Sequence, residues 1–160
     1  MKTNTAIEMT AIGTVEQTSG GSFIRLRKEL AAGLTGLDGF SHAAVFWHFD
    51  KAPWDGKTLS YASPYKSFKG ELGIFATRGP FRPNGIALSV CRILEVDADS
   101  GILSLDWIDA EPESPVLDIK PFHPSSDVIT NPSVPDWCAH WPKNRESSAD
   151  FDWTSEFAFG

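Results

Sequence analysis

The sequence of 160 residues lacks several features that mark broad classes of protein. No segment approaches the ~20 consecutive apolar residues of a transmembrane helix, and the opening MKTNTAIEMT lacks the apolar run of a signal peptide. Cysteine is scarce: Cys91 and Cys138 can form at most one disulfide, and we interpret both as buried, reduced thiols. These features predict a cytoplasmic protein, and the length predicts a single domain over residues 1–160.

Basic residues are also scarce, mainly in the second half of the chain. Residues 1–94 carry eleven Lys/Arg against seven Asp/Glu, whereas residues 95–160 carry three against fourteen, for a net charge of −7. This charge argues against a protein that holds nucleic acid by bulk electrostatics. A surface built from the basic half could nevertheless meet a polyanion, and the alternative is a fold in which the two halves interleave.

Alternation of apolar residues predicts a β-strand over residues 41–49. Ala43, Val45, Trp47 and Phe49 fall on one face of this segment, because successive side chains of a strand point to opposite sides. We expect that face to be buried.

A β-hairpin is predicted further along the chain. The apolar run 86–96 reaches a second strand through the loop 97–101, which has hairpin length and ends in glycine. In the second strand Leu103, Leu105 and Trp107 alternate with polar residues.

The remaining signals are weaker. Strands are predicted at 7–15 and 116–119, and short helical turns at 22–34 or 136–141, where Asp136 is a candidate cap. The pattern predicts a mainly β protein, a small closed or nearly closed β-barrel with one or two short helices. No G-x-G-x-x-G follows a predicted strand, so a Rossmann-type cofactor site is not expected.

The most distinctive segment is GIFATRGPFRPNGIALS, residues 73–89. Its two prolines each restrict φ and remove an N–H donor, so Phe81, Arg82 and Asn84 are presented from a stiffened backbone. This composition predicts a ligand-binding loop. The alternative is a proline-rich connector whose arginines lie in solvent.

This loop resembles the ATRSPFRPNPIGLS signature of the TrmO (TsaA-like) family, whose characterised members are S-adenosylmethionine-dependent tRNA methyltransferases. Two further segments match in order: LDGFSHAAVFWHF at 37–49 is similar to the family's L-x-G-F-S-H and aromatic strand, and VLDIKP at 116–121 is similar to its DIKPY element. The matches span about residues 34–124. The resemblance implies a β-barrel that binds S-adenosylmethionine outside the common methyltransferase fold, in a pocket completed by the second subunit of a homodimer.

The resemblance also implies the cofactor-binding residues. A pocket for S-adenosylmethionine needs a cation for the methionine carboxylate, backbone groups for adenine, and apolar or aromatic walls. His42, in the F-S-H element, is expected to hydrogen-bond into the cofactor loop. The residues assigned to the cofactor are Phe75, Ala76, Thr77, Arg78, Phe81, Arg82, Pro83, Asn84, Leu88, Ser89 and His42.

The methyl acceptor implied by the family is N6 of threonylcarbamoyl-adenosine beside the tRNA anticodon. This nitrogen is a poor nucleophile whose proton must leave, so a carboxylate is needed, and Asp118 in DIKPF or Asp109 in WIDAEP can supply it. Lys120 is expected to hold a substrate carboxylate or phosphate. Alternatively, Asp118 is a capping carboxylate paired with Lys120 or an arginine. His42 and His48 have no third ligand at metal-binding spacing, so no metal is expected.

Three departures from the family pattern bear on the substrate. Gly85 and Ala87 stand where the family has proline and glycine, Phe122 replaces a tyrosine, and the acidic run 110–114 replaces a short D-G-T-P turn. The acidic run and Phe122 favour a second hypothesis, an S-adenosylmethionine-dependent methyltransferase of a small metabolite. A third is a non-catalytic nucleotide- or metabolite-binding module.

The homodimer follows from the resemblance alone, because the sequence has no coiled-coil heptads. Trp137, Trp141 and Trp153 are aromatic residues that could serve such an interface. We interpret them instead as ordinary packing residues.

Overall fold

The computed structural model describes residues 6–158, and β-strands dominate this part of the chain. Six strands close into an antiparallel barrel, and two short strands form a separate ribbon. The prediction of a mainly β, closed barrel is confirmed. The strands are β1 (Gly13–Thr18), β2 (Gly21–Leu26), β3 (His42–His48), β4 (Ser60–Ala62), β5 (Glu71–Gly73), β6 (Ile86–Asp97), β7 (Ile102–Leu105) and β8 (Pro115–Pro121).

The barrel order is β1-β2-β7-β6-β3-β8, and β4 pairs with β5. The barrel closes through a short pairing in which Gly13 lies opposite Val116. The two strands of the second half lie between strands of the first half, with β7 between β2 and β6 and β8 between β3 and β1. This is the interleaved arrangement of the acidic and basic halves.

Helical segments are short. None of the helices within residues 6–158 has the length and apolar character that crossing a bilayer requires. The α-helices are α1 (Pro124–Asp127) and α2 (Arg145–Ala149), and the 3-10 segments are Lys28–Leu34, Leu37–Gly39, Ile74–Ala76, Asp136–Cys138 and Trp153–Ser155.

The alternation predicted over residues 41–49 is confirmed within β3, whereas Phe49 lies one residue beyond the strand and is only partly buried. In β3, Ala43, Val45 and Trp47 point into the barrel core and are at most 4% exposed. The residues between them, such as Phe46, lie on the outer face and are only partly buried. Burial of one face out of two explains the strict period of two in the sequence.

The predicted hairpin is confirmed as β6 and β7. Its turn is stabilised by the Asp97 carboxylate, which accepts hydrogen bonds from the backbone N–H groups of Asp99 at 3.1 Å and Ser100 at 2.9 Å. The predicted second strand was too long. Trp107 lies beyond the end of β7 and is 57% exposed.

The strand predicted over 7–15 was wrong in its bounds. The strand runs over Gly13–Thr18, and Ile7 is 81% exposed. Pairing with β2 carries the strand on to Thr18, whereas among the described residues before Gly13 only Ile12 bonds to the barrel, through its N–H to the Val116 carbonyl oxygen at 2.8 Å and its carbonyl oxygen to the Arg27 N–H at 2.9 Å.

The turn predicted over 22–34 was wrong in its first part. Residues up to Leu26 form β2, because Ile24 and Leu26 are buried and the strand pairs on both sides. Only Lys28–Leu34 is helical, as a 3-10 segment. The turn near Asp136 is present, but the Asp136 side chain makes no capping hydrogen bond there.

Both cysteines are buried and free, as predicted. Burial raises the pKa of the Cys91 thiol to about 12. Because the thiolate is the reactive form, Cys91 is a packing residue of the barrel core rather than a nucleophile.

Candidate functional site

The loop over residues 73–89 leaves the ribbon β4–β5 and enters the barrel at β6. Its first turn, Ile74–Ala76, is anchored by the Ile74 side chain, which is 1% exposed. The Thr77 hydroxyl donates a hydrogen bond of 2.9 Å to the Ile74 carbonyl oxygen and closes this turn. The residues that follow are thereby held in one conformation.

The Arg82 side chain stabilises the same turn through hydrogen bonds to its backbone. Its Nη2 donates hydrogen bonds to the carbonyl oxygens of Ile74 at 2.9 Å and Thr77 at 2.7 Å. Its Nε is buried and has no partner within residues 6–158. The guanidinium of Arg82 thus links the two ends of the segment that carries Phe75 and Ala76.

Gly85 ends the loop in a backbone conformation that favours glycine. Its φ is +57°, and a Cβ built on it would lie 3.0 Å from Nε2 of His48. The Gly85 N–H donates to the Arg82 carbonyl oxygen at 3.1 Å, and its own carbonyl oxygen accepts from Phe49 at 2.8 Å. Proline cannot adopt a positive φ, so a chain with proline at this position must turn differently.

The loop borders a cleft of about 910 Å³. This volume lies within the ~300–1,000 Å³ typical of small-molecule sites. Phe75 is 82% exposed and Phe81 is 50% exposed, so both aromatic side chains are available to a ligand. The loop residues that line the cleft are Phe75, Ala76, Thr77, Arg78, Gly79, Pro80 and Phe81.

The rest of the cleft lining is largely aromatic and comes mostly from the tail, which we define as residues 129–158. Tyr65 stacks on Trp137 at 5.1 Å between ring centroids and 17° between ring planes, and Trp141 meets Trp153 edge to face at 5.3 Å. We call this surface the aromatic wall. Its members are Tyr65, Trp137, Trp141, Trp153 and Phe157.

The aromatic wall was not predicted as part of the site. The three tryptophans were interpreted as packing residues, and they do pack on one another, but they also line the cleft. Five aromatic residues within 137–157, in a segment without strand alternation, are the signal that could have indicated a shared aromatic surface.

Two charged side chains face the cleft without partners. Within residues 6–158, neither the Arg78 guanidinium nor the Asp109 carboxylate makes a hydrogen bond or an ion pair. Asp109 is exposed at the cleft, yet the surrounding protein removes part of its hydration and raises the pKa of its carboxyl above its ordinary value. An available cation and a carboxyl with a perturbed pKa in one cleft are typical of a functional site.

The profile of one protein family, described as the tRNA-methyltransferase O N-terminal domain (TrmO_N), matches residues 10–128. The match covers the whole barrel, the loop and Asp109. The chain belongs to the TrmO family.

Sequence similarity to named proteins supports this membership. The chain is 39% identical over 108 residues to an S-adenosyl-L-methionine-binding protein of Archaeoglobus fulgidus, covering 68% of this chain and 73% of the relative. It is 32% identical over 124 residues to the tRNA (adenine(37)-N6)-methyltransferase of Escherichia coli, covering 76% of this chain and 53% of that enzyme.

Solved TrmO structures have the same fold. The crystal structure of TrmO from Pseudomonas aeruginosa matches with a TM-score of 0.62 and 27% identity, over 81% of this chain and 62% of that one. The chain thus spans about half of the Escherichia coli enzyme and less than two thirds of the Pseudomonas structure.

Several residues that the TrmO resemblance assigns to the cofactor lie outside the cleft of a single chain. Pro83 and Asn84 are exposed at the turn that precedes β6. Leu88, 40% exposed, lies on the outer face of the barrel opposite Phe46. Ser89 points inward and is buried, and its hydroxyl accepts a hydrogen bond of 3.0 Å from Nε1 of Trp47.

His42 also lies away from the cleft. It begins β3, whereas Phe49, just beyond the other end of β3, lines the cleft, so about 20 Å of strand separates them. The Nδ1 of His42 contacts the Ser41 hydroxyl at 2.9 Å, and its ring meets Phe122 edge to face. No hydrogen bond joins His42 to the loop among the described residues.

The two candidate carboxylates are in different places. Asp109 lines the cleft, whereas Asp118 borders a smaller cavity of about 400 Å³ next to the 3-10 segment Lys28–Leu34. The Asp118 carboxylate forms an ion pair of 2.6 Å with Nζ of Lys120, and both side chains are about half exposed. This is the pairing that the alternative interpretation of Asp118 anticipated.

We expect Ser89→Ala to lower the free energy of unfolding by about 1–3 kcal/mol, because the buried Trp47 indole N–H loses its acceptor. Affinity for S-adenosylmethionine should stay unchanged, since the hydroxyl points into the barrel. Chemical denaturation and calorimetry measure the two quantities. In a Trp47→Phe background the same substitution should cost less. Full stability with weakened affinity would instead assign Ser89 to the cofactor.

Proposed function

We propose that this chain is an S-adenosylmethionine-dependent methyltransferase that acts on N6 of threonylcarbamoyl-adenosine beside the anticodon of tRNA. The observation that carries the proposal is the cleft itself. It combines the unpaired Arg78 of the family loop, exposed aromatic side chains and the unpaired Asp109 carboxylate. The names of the relatives, one binding S-adenosylmethionine and one methylating adenine in tRNA, support the same activity.

The cleft fits the chemistry of the cofactor. The guanidinium of Arg78 matches the methionine carboxylate, because planar donors bind a carboxylate in pairs. The rings of Phe75 and Phe81 offer apolar faces to adenine and a favourable surface to a positively charged sulfur. When bound, S-adenosylmethionine supplies an electrophilic methyl group, and its sulfur keeps the bonding electron pair as the thioether product forms.

Asp109 is the proton acceptor of our proposal. As N6 bonds to the methyl carbon it must lose its proton, and a carboxylate oxygen of Asp109 takes that proton. A partly desolvated carboxylate is a stronger base than one in water, in agreement with its raised pKa. Arg82 acts indirectly, by holding the segment that carries Phe75 and Arg78.

A small metabolite as acceptor is the second candidate. The interleaved halves leave no single basic half: Lys51 pairs with Glu111 at 2.7 Å and Arg25 with Glu16 at 2.6 Å. Paired cations weaken attraction to a phosphate backbone and favour a smaller acceptor.

We also propose that the chain acts as one domain and as a homodimer in the cytoplasm, where tRNA is modified. The tail packs on the ribbon segment through Tyr65 and Trp137, which supports one folding unit. The outer face of β3, β6 and β8 exposes Ile86 and Leu88. A second copy bound to this face would form a pocket between the subunits beside Leu88, one of the residues that the resemblance assigns to the cofactor. Such a face is suited to an interface.

The central test is calorimetric titration with S-adenosylmethionine followed by methyl transfer to threonylcarbamoylated tRNA. We expect Arg78→Ala to weaken cofactor affinity about tenfold or more without loss of stability, because its guanidinium has no partner in the described protein. Arg82→Ala should lower stability, since two carbonyl groups lose their donor. Arg27→Ala is the matched control. Binding without transfer to tRNA would favour the small-metabolite acceptor, and absence of binding would refute the proposal.

Asp109→Asn should lower turnover about 100-fold or more while sparing cofactor affinity. The wild-type rate should fall as pH drops through the raised pKa of Asp109, because a protonated carboxyl cannot accept the N6 proton. This acidic limb, with its midpoint above 3.8, should vanish in the variant.

The effect of Asp109→Asn on the free energy of unfolding can also be predicted. Partial loss of hydration favours the neutral carboxyl in the folded state, so ionisation lowers stability as pH rises through the folded-state pKa, and the solvent exposure of Asp109 keeps this effect small. The variant should therefore be at least as stable as the wild type at neutral pH. Asp38→Asn is a control on an exposed carboxylate, and a loss of turnover in Asp118→Asn alone would move the proton acceptor to Asp118.

Leu88→Glu should shift the protein from dimer to monomer in analytical ultracentrifugation, because a carboxylate at the interface must lose its hydration. The control Thr18→Glu adds the same charge on β1, across the barrel, and should leave the dimer intact. A wild-type protein that sediments as a monomer would contradict the homodimer.

A further inference from the structure

The TrmO family match includes the loop that lines the cleft but not most of the aromatic wall. The loop residues and Asp109 lie within the matched residues 10–128, whereas four of the five members of the aromatic wall belong to the tail, beyond the match. Cofactor binding is common to the named relatives, so the matched part of the chain is where that function should reside. The tail supplies a surface that the shared part does not provide.

The aromatic wall is held in place by polar contacts at its edges. Nε1 of Trp141 donates to the Glu156 carboxylate at 3.0 Å, and Nε1 of Trp153 donates to the Ser148 carbonyl oxygen at 3.2 Å. A backbone hydrogen bond of 2.8 Å from Lys66 to Glu156 fixes the tail against the segment that carries Tyr65. Two indole N–H groups are thereby occupied, and ring surface remains to line the cleft.

The net charge of the tail disfavours an anionic ligand group at this surface. Lys66, from the segment that carries Tyr65, is a neighbouring cation, and its Nζ donates to the Thr154 carbonyl oxygen at 3.5 Å. The tail carries five carboxylates and two cations. Both cations are engaged elsewhere: Nζ of Lys143 donates to the Ala139 carbonyl oxygen at 2.6 Å, and Arg145 pairs with Asp106 at 2.6 Å. A phosphate next to the wall would meet net negative charge, whereas an uncharged flat ring would gain stacking contacts with aromatic faces.

We infer that the aromatic wall is the acceptor subsite, where an uncharged nucleobase stacks on ring faces in the cleft that the cofactor-binding loop also lines. This inference rests on the proposed methyltransferase function and adds the location of the acceptor. Stacking on aromatic side chains is how proteins commonly bind unpaired bases, and it needs no basic residue at the ring. The sugar and any phosphate of the acceptor then lie toward the open side of the cleft, away from the tail carboxylates.

The test uses adenosine as the probe, with the cofactor subsite filled by S-adenosylhomocysteine so that adenosine cannot occupy it. Trp137→Leu removes a ring of the wall, and no partner is left without a hydrogen bond, because the Trp137 indole makes none within residues 6–158. We expect calorimetry to show adenosine affinity reduced about tenfold or more, with cofactor affinity unchanged within twofold. Trp137→Phe should restore part of the adenosine affinity.

The matched control is Trp107→Leu, which removes an indole that is 57% exposed and outside the cleft. It should leave adenosine affinity unchanged. In Trp107→Leu the tryptophans of the wall are intact, so adenosine should quench tryptophan emission to the wild-type extent. This measurement does not require the Trp137 variants to fold.

The outcomes separate the two proposals. No binding of S-adenosylmethionine would overturn the methyltransferase function itself. A second set of outcomes would overturn the acceptor subsite and leave the methyltransferase function standing. In these outcomes the cofactor binds, but adenosine does not bind, binds equally well to Trp137→Leu, or is displaced by S-adenosylhomocysteine. Loss of both affinities in Trp137→Leu, with a folded protein, would assign the wall to the cofactor instead.

Discussion

The side-chain repeat of two along β3, β6 and β8 decides which of the candidate residues on these strands face the barrel core and which face outward. These strands form the best-paired part of the barrel, with β3 bonded along its length to β6 and along most of it to β8. A shift of register by one residue would exchange the core and outer faces, so the buried Trp47 and its hydrogen bond to Ser89 keep the register unique. The same register places Leu88 and Asp118 on the outside.

The cleft depends on a second constraint, the rigidity of the loop at its edge. Ile74 is buried, Thr77 closes the first turn, and Arg82 joins both to the turn at Gly85. The loop therefore arrives at the cleft in one conformation, which lowers the entropy lost when a ligand binds. Arg82 was assigned to the ligand from the sequence. In the folded chain it holds the backbone of the segment that precedes Arg78.

The arrangement of the cleft agrees with methyl transfer, in which the protein has to align two reactants and exclude water. The family loop, Asp109 and the aromatic wall line the same cleft. A cation, a partly desolvated carboxylate and ring faces are the groups that such a reaction needs from the protein. The outer face of the barrel, where Leu88 and Asp118 lie, is where a second subunit would add to this set.

Local sequence determined the elements that depend on nearby residues. Alternation of apolar residues predicted β3 and the hairpin β6–β7, and the proline-rich loop with its neighbours predicted the TrmO family. The weaker elements at 7–15 and 22–34 were misassigned because their state depends on which strand lies beside them. Tertiary structure alone decided the composition of the cleft. Pairing across the barrel and packing of the tail brought together Arg78, Asp109 and Trp137, which are far apart in the chain, and it separated Asp118 from them. Contacts of this kind depend on long-range pairing, and no short-range pattern of residues encodes it.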